Sequence, residues 1–392
     1  MRCEAPRPVL RRIHVSGTTI GLDIGTTSVR AVQAGVRRGT PRIVKAGEIK
    51  LPQGAMVNGE LRDPEVVTAA VRRLWRRARF QSRGVVIGMA NQQTFLRLVE
   101  VMSDSDKQYL LDALPERLEE EISTPVEDVV FDAYPLGEFL DAKGNLQTQT
   151  YVAGALTGAV ENLYEAVWEG KLRPERLDHL GFALIRSAAF TQGLPRSVPA
   201  PPPPGEEFSC QAVVDIGAQS TIVAVHDRGR PLMMRVVPGG GESVTRAIQD
   251  HVEISFDVAE NIKKHLGLGG VASSEVVFPE DDKELQDLDA SAISVAQQIL
   301  NLMAGSIIQG VRETIDFYLA SSPDVTGVEK ISLSGGGAAL RGIDERLAAE
   351  LRTDVDYLNV LERFTRGKRK SARWAEHDPR FGVAFGLAMG VK

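Results

Sequence analysis

The stretch IGLDIGTTSVRAVQ at 20–33 returns in edited form as VVDIGAQSTIVAVH at 213–226. A chain that carries one segment twice, half its length apart, is restricted to folds built from two related halves. In the first copy Val29 and Ala31 alternate with polar residues after the glycine; in the second, Thr221, Val223 and Val225 do so, and apolar residues precede both. Period-two alternation on either side of a glycine predicts strand, tight turn, strand. The shared pattern D-I-G-x-x-S then falls at the same point of two β-hairpins, with Asp23, Ile24, Gly25 and Ser28 in one and Asp215, Ile216, Gly217 and Ser220 in the other.

The remainder of each half is mixed α/β. After NGELRD (58–63) comes an amphipathic helix with Val66, Val67, Ala70, Val71, Leu74, Trp75 and Ala78 on one face, then the strand-like GVVIGMA at 84–90. Arg72, Arg73, Arg76, Arg77 and Arg79 fall mainly on the other side, where a solvated face is the ordinary reading and a phosphate or partner surface the alternative. Between 103 and 164 an acidic helix (QYLLDALPERLEEEI), the strand-like DVVFDAYPLG and the apolar TYVAGAL predict a small inserted subdomain. In the second half, Val244, Ala247, Ile248 and Val252 have helical spacing, and a long helix is expected over 290–319.

Composition bounds the classes available. At roughly 150 residues per domain, a chain of 392 residues holds two or three domains. The net charge of -6 gives no general attraction to nucleic acid, so no nucleic-acid partner is expected. The only cysteines are Cys3 and Cys210, with no CxxC and no zinc-ligand spacing, which fits a reducing cytosol. No apolar run approaches the ~18 residues of a bilayer span, and polar residues after the N-terminal arginines spoil a signal-peptide core. A soluble, cytoplasmic protein is predicted.

The proline-rich GLPRSVPAPPPPGEEFS at 193–209 forbids helix and ladder pairing and reads as an extended connector rather than an SH3-type ligand. The expected division is therefore a first lobe at 17–102 and 165–194, an insert at 103–164, a connector at 195–208 and a second lobe at 209–392. The outer part of the second lobe is expected at about 245–322.

A DIG turn can hold phosphate because Gly25 and Gly217 lack a Cβ, which lets backbone N–H groups approach an anion. Thr26, Thr27, Ser28 and Ser220 add hydroxyl donors, and Ala218 and Gln219 complete the second turn. Aspartates beside phosphate would be repelled unless a divalent cation lay between, so Asp23 and Asp215 point to Mg2+ held largely through waters. A single DIG tripeptide merely turns a hairpin; two copies change the odds. A third segment, KISLSGGGAALRGIDERLAAEL, reads as a strand, a turn at Gly335, Gly336 and Gly337, and a helix from about Ile343, a layout suited to a nucleotide. In AENIKKHLG, Glu260 and Lys263 share one helical face and would alone be an ordinary surface pair.

This order of segments resembles the actin-like ATPase superfamily, and within it the PilM family of cytoplasmic, FtsA-related proteins of type IV pilus assembly. The resemblance covers nearly the whole chain and also rests on GELRDPEVVTAAVRRL, GGESVTRAI, AENIKKHLG and the terminal GVAFGLAM. It implies a duplicated fold of two RNase H-like lobes around a nucleotide cleft, with a 1C-type insert at 103–164. By that resemblance Gly25 to Ser28 and Gly217 to Ser220 contact the phosphates of ATP. Asp23 and Asp215 would join the Mg2+ shell, Gly335 to Gly337 would hold adenosine, and Glu260 and Lys263 the ribose or base. It further implies a partner, the N-terminal peptide of a PilN-like membrane protein, with membrane contact only through that partner; a homo-oligomer stays open.

Two other functions share these motifs. A sugar or carboxylate kinase needs an aspartate base over a substrate hydroxyl, and GFALIRSAAF at 181–190 offers neither Asp, Glu nor Gln, so at most slow ATP turnover is expected. An FtsA-like filament protein would carry an amphipathic C-terminal helix; the sequence ends at Lys392 just after the last expected fold helix, which favours the adaptor. The connector and the basic RFTRGKRKSARW at 363–374 depart from the family pattern, the latter reading as a solvated loop or a contact to acidic lipid or protein.

Overall fold

The computed structural model describes residues 18–102, 107–141, 143–194, 202, 205–269, 285, 288–364 and 378–390. The proline-rich run at 195–201 and 203–204 and most of the basic 363–374 stretch lie outside the described residues.

Each DIG segment is the bend of an antiparallel hairpin, as its alternation predicts. In the first half β1 (Thr19–Ile24) pairs with β2 (Ser28–Arg37), which pairs with β3 (Thr40–Lys50). A two-stranded hairpin follows, β4 (Met56–Val57) and β5 (Glu60–Leu61), then β6 (Gly84–Met89). A separate sheet holds β7 (Thr94–Met102), β8 (Val129–Leu140) and β9 (Leu146–Leu156), before β10 (Arg173–His179) rejoins the first. The second half has β11 (Phe208–Ile216), β12 (Ser220–Asp227), β13 (Arg230–Pro238), β14 (Val325–Ser334) and β15 (Asp354–Tyr357). The two large sheets run β3-β2-β1-β6-β10 and β13-β12-β11-β14-β15. Both therefore place their first three strands in one antiparallel meander and their last two parallel to the first strand. Repeating an entire strand order, and not just a turn, makes the halves copies of one fold.

Local signals explain the long helices of the two lobes. Helix Pro64–Ala78 starts where Asp63 caps Val66 N–H at 3.1 Å and proline fills the first turn, and it ends at Arg79 in the left-handed region. Its buried face of Val67, Ala70, Val71 and Leu74 packs on the first sheet. Helix Ala290–Ser321 buries Leu300, Ile308, Val311 and Ile315 in the second-lobe core. That helix is long and apolar enough (mean hydropathy 1.3) to meet the length and composition of a bilayer span, against the expectation that nothing in the chain does. Polar residues break every run of apolar ones along it, while Leu and Ile keep the average high; one face is buried in the second-lobe core, and Leu302 and Phe317 on the rest of it are exposed.

Two expected boundaries fall elsewhere. β11 takes in Phe208, the last residue of the expected connector, because Phe208 N–H donates to Asp324 O at 3.0 Å; Ser209, the expected start of the second lobe, pairs with Gly327. The small sheet begins at Thr94 rather than 103, and helix Thr157–Glu169 buries Leu163 and Val167 in the first lobe. The change of period near 103 marks a strand-to-helix step inside the subdomain. Its core is Val99, Val101, Leu114, Leu118, Ala133 and Val152, and Tyr151 ties it to the second lobe by donating its hydroxyl to Leu232 O.

The lobes meet through helices Leu180–Gln192 and Gly382–Met389. A Cβ on Gly386 would run into Ala183 O, so only glycine permits this close crossing. Ser187 Oγ donates to Gly382 O at 2.6 Å, and Arg186 Nε to Gly386 O at 3.1 Å. Val32 and Val86 from one sheet, Val213 and Ile222 from the other, and Phe381 and Phe385 between them form one continuous apolar cluster.

Candidate functional site

The two DIG turns share one hydrogen-bond pattern. Gly25 N–H donates to Ser28 O at 3.0 Å and Gly217 N–H donates to Ser220 O at 2.9 Å. In the first turn Ser28 is almost fully buried (1% exposed), and its Oγ has no hydrogen-bond partner. A buried hydroxyl left unpaired costs about 1–3 kcal/mol, and this one stands in the first of the two turns.

The third turn abuts the second. Gly335 has φ +89°, and a Cβ there would collide with Ile216 O, so the SGGG turn can lie against the DIG strand only as glycine. Gly336 faces open space. The start of helix Gly241–Val252 completes the corner: Gly241 N–H donates to Gly217 O at 2.9 Å, and Glu242 N–H to Ala218 O at 2.7 Å. The Cβ position of Gly241 lies 3.4 Å from Lys263 Nζ and 3.7 Å from both Gly217 O and Gly337 Cα. Three segments far apart in sequence therefore converge there.

Glu260 and Lys263 come to this corner on helix Phe256–His265, which Ser255 caps through Val258 N–H at 3.3 Å. They are not a free surface pair. Lys263 Nζ donates to Gly241 O and Thr245 Oγ1, both at 2.8 Å, and to Glu260 Oε2 at 2.6 Å; Thr245 Oγ1 also donates to Glu260 Oε2 at 2.6 Å. Burial pushes the Glu260 carboxyl up, but the charge and hydrogen bond of Lys263, with Thr245 and Lys264, outweigh it and hold the group below the usual range.

The aspartates sit near the ends of β1 and β11, just before the two glycine turns. Asp23 is buried and pushed up to about 6, chiefly by desolvation; Asp215 and Glu48 add to the rise, and Arg30 opposes it. Asp215 is also raised, by desolvation against a hydrogen bond from Ser334 and the charge of Arg30. Arg30 stands opposite Asp23 in the hairpin register, with Nη1 3.7 Å from Oδ2. From there an ion-pair chain runs to the C-terminal segment. Arg30 Nε donates to Glu48 Oε1 at 2.9 Å, Arg380 Nη1 to Glu48 Oε2 at 2.9 Å, and Arg380 pairs with Asp378 at 2.8 Å. Two raised carboxylates, one of them raised in part by the charge of the other, would accept a cation beside them. Among the described residues no cluster of three or more His, Cys, Asp or Glu could ligate a metal by itself, so waters and phosphate oxygens would complete a Mg2+ shell.

Sequence reasoning missed Arg30, Glu48 and Arg380, and also Asn58, Gly241 and Thr245. The hairpin register by itself points to Arg30, and the glycine run at 239–241 before a helix was a readable anion-site signal. Nothing local pointed to Asn58, whose N–H reaches Gln219 Oε1 in the other lobe at 2.6 Å.

A second concavity, of about 660 Å3, opens between the β4–β5 hairpin, the small sheet and helix Thr157–Glu169. Gly59, Leu61, Arg62, Asn91, Asp128 and Asn162 are among its lining residues.

Two lobes of identical strand order, joined by crossing helices and facing each other through paired glycine turns, define an actin-like ATPase fold. The chain belongs to the PilM family: the model of the type IV pilus assembly protein PilM matches residues 21–293 and 280–392. A solved PilM-PilN type IV pilus biogenesis complex contains a similar chain, with a TM-score of 0.75 at 24% identity, covering 95% of this chain and 97% of that one. The ethanolamine utilization protein EutJ from Carboxydothermus hydrogenoformans superposes with a TM-score of 0.52 at 15% identity, covering 95% of this chain and 89% of that one. The cell division protein FtsA of Bacillus subtilis is 24% identical over 350 residues, which is 83% of this chain and 74% of FtsA.

Proposed function

We propose that this protein is a cytoplasmic, nucleotide-dependent adaptor of type IV pilus assembly. It holds Mg-ATP between its lobes and the N-terminal tail of a PilN-like inner-membrane protein in the 660 Å3 cavity. The observation that carries the nucleotide site is the buried, unpartnered Ser28 hydroxyl in a turn whose copy lies in the other lobe.

In this reading Thr26, Thr27 and Ser28, with Ala218, Gln219 and Ser220, present N–H and hydroxyl donors to phosphates, while Gly25 and Gly217, whose own N–H groups close the turns on Ser28 O and Ser220 O, let the backbone approach them. Asp23 and Asp215 orient waters, Gly336 leaves room for adenosine while Gly335 and Gly337 let that turn lie against Ile216, and Lys263 and Glu260 close the corner beside it. Mg2+ supplies the charge that lets two carboxylates and a polyphosphate share one cleft. Arg30 is the resident counter-charge of Asp23, and Glu48 holds its guanidinium in place. In the same reading the first lobe, expected at 17–102 with 165–194, is drawn up to 93 and again over 157–194, the insert, expected at 103–164, is drawn as its own sheet and helix, 94–156, and the second lobe is 209–392.

The tail site is supported by membership of the PilM family and by the solved PilM-PilN complex of a similar chain. Its test is calorimetric titration of the partner's N-terminal peptide into wild type and Gly158→Phe. The Cβ position of Gly158, a cavity-lining residue, meets nothing within 4 Å, so a phenyl ring can enter the cavity without displacing the backbone. Peptide binding lost with Mg-ATP binding retained supports the site; equal peptide affinity in both proteins rejects it. FtsA-like self-assembly is the second reading, favoured by similarity over most of the chain. ATP-dependent pelleting without peptide binding would select it.

A further inference from the structure

One edge of the first lobe carries positive charge almost alone. On helix Pro64–Ala78, Arg73, Arg76 and Arg77 are exposed and have no ion-pair or hydrogen-bond partner among the described residues, and exposed Arg79 caps the helix. Alongside runs the sheet's edge strand β3 with Arg42, Lys45 and Lys50, and the β2–β3 hairpin tip adds Arg37 and Arg38.

Two contacts put these cations on one surface. Lys45 Nζ donates to Arg79 O, and Lys50, Arg73 and Arg77 line one shallow cavity of about 350 Å3. The carboxylate within this set is Glu48, and its two oxygens are taken by Arg30 and Arg380. In a chain of net charge -6 the edge is a local inversion of sign. Exposed Val36 and Val44 lie in the same hairpin.

We propose that this edge docks directly on the phosphate headgroups of an anionic bilayer, a contact additional to any made through a partner's tail. Cations spread along a helix and an adjoining strand, with apolar side chains at one end, match a plane of phosphates better than a single bound anion. A single-stranded nucleic acid would call for exposed rings on which bases stack. The aromatic residue nearest the arginines, Trp75, instead packs on Phe80 at 4.8 Å between centroids and donates Nε1–H to Ser82 O at 2.9 Å. Charges on an edge strand also block unwanted strand pairing, but that role does not explain the helix arginines.

The test is co-sedimentation of the full chain, without partner peptide, with vesicles of phosphatidylcholine alone or mixed with phosphatidylglycerol. Wild type is expected to pellet only with the anionic vesicles and to be released by added salt. Arg73→Glu/Arg77→Glu should lower that binding by about tenfold or more, while Arg117→Glu/Arg352→Glu, the same charge change at exposed sites elsewhere, leaves it near wild type. Absence of pelleting by wild type, insensitivity to salt, or equal loss in both double variants overturns the proposal. So does binding of a single-stranded RNA oligonucleotide that Arg73→Glu/Arg77→Glu abolishes while vesicle binding persists. Because no peptide is present, the outcome is independent of the tail site.

Discussion

The backbone N–H of Asn58 donates to Oε1 of Gln219 at 2.6 Å, joining the tip of the β4–β5 hairpin in the first lobe to the second DIG turn. Asn58 holds φ +50° to make this reach, a conformation asparagine tolerates better than most residues. The next residues of the same hairpin, Gly59 to Arg62, line the 660 Å3 cavity, and Asn91 Nδ2 donates to Gly59 O at 2.9 Å to hold it there. One short hairpin thus touches both the nucleotide turn and the candidate peptide site.

Gln219→Ala removes this tie while keeping the Gln219 backbone N–H that the proposed phosphate turn uses, and it leaves the lining of the 660 Å3 cavity unchanged. Coupling between two such sites is typically about 1–3 kcal/mol, and the variant should lose at least half of it. Peptide titrations with and without Mg-ATP measure it directly. An unchanged ratio of peptide affinities would show that the hairpin does not transmit nucleotide occupancy.

Ligand binding should stabilise the fold by mass action. At ~100 times its dissociation constant Mg-ATP adds about 2.7 kcal/mol, and Asp23→Ala or Asp215→Ala should remove most of that gain. Thermal shifts with and without nucleotide decide it; a wild-type shift in both variants would contradict the assignment of the two aspartates.

Acid should weaken the second lobe through His226. This residue is fully buried, its Nδ1 accepts from Gly229 N–H at 3.3 Å, and burial lowers its pKa to about 4 despite the opposing charges of Asp227 and Glu329. The unfolded chain, with a histidine pKa near 6.5, then binds more protons than the folded one between about pH 6.5 and pH 4. Stability is therefore lost as pH falls through that window, by about 2 kcal/mol at pH 5. His226→Asn keeps an acceptor for Gly229 and should lack this share of the loss. Denaturant unfolding at pH 7 and pH 5 tests it, and identical pH sensitivity in the two proteins would refute it.

Gly386→Ala should separate the crossing helices. Its Cβ would strike Ala183 O, so the change forces backbone apart at the lobe junction and should destabilise by about 1–3 kcal/mol. Equilibrium unfolding measures the cost, and a variant as stable as wild type would mean that the crossing can relax freely.

By itself the sequence determined what depends on neighbours along the chain. The DIG turns, the helices at 64–78, 241–252 and 290–321 and the strand, turn and helix around SGGG were legible because alternation, helical spacing, capping and glycine act over a few residues. The duplication was legible because both copies retain the same short pattern, and the family was legible from the order of such patterns. Boundaries at 94 and 157 were not, because strand pairing and core packing set them, Thr94 pairing with Ala155 some sixty residues on and Leu163 and Val167 packing in the first-lobe core. Only the tertiary structure decided that Lys263 is spent on Gly241, Thr245 and Glu260, and that Asp23 is answered by a relay ending at Asp378. The physical reason is range. Propensity and periodicity are local, whereas the protonation of a buried carboxylate, the tie between Asn58 and Gln219, and the meeting of three turns at Gly241 exist only once distant segments share one low-dielectric cleft.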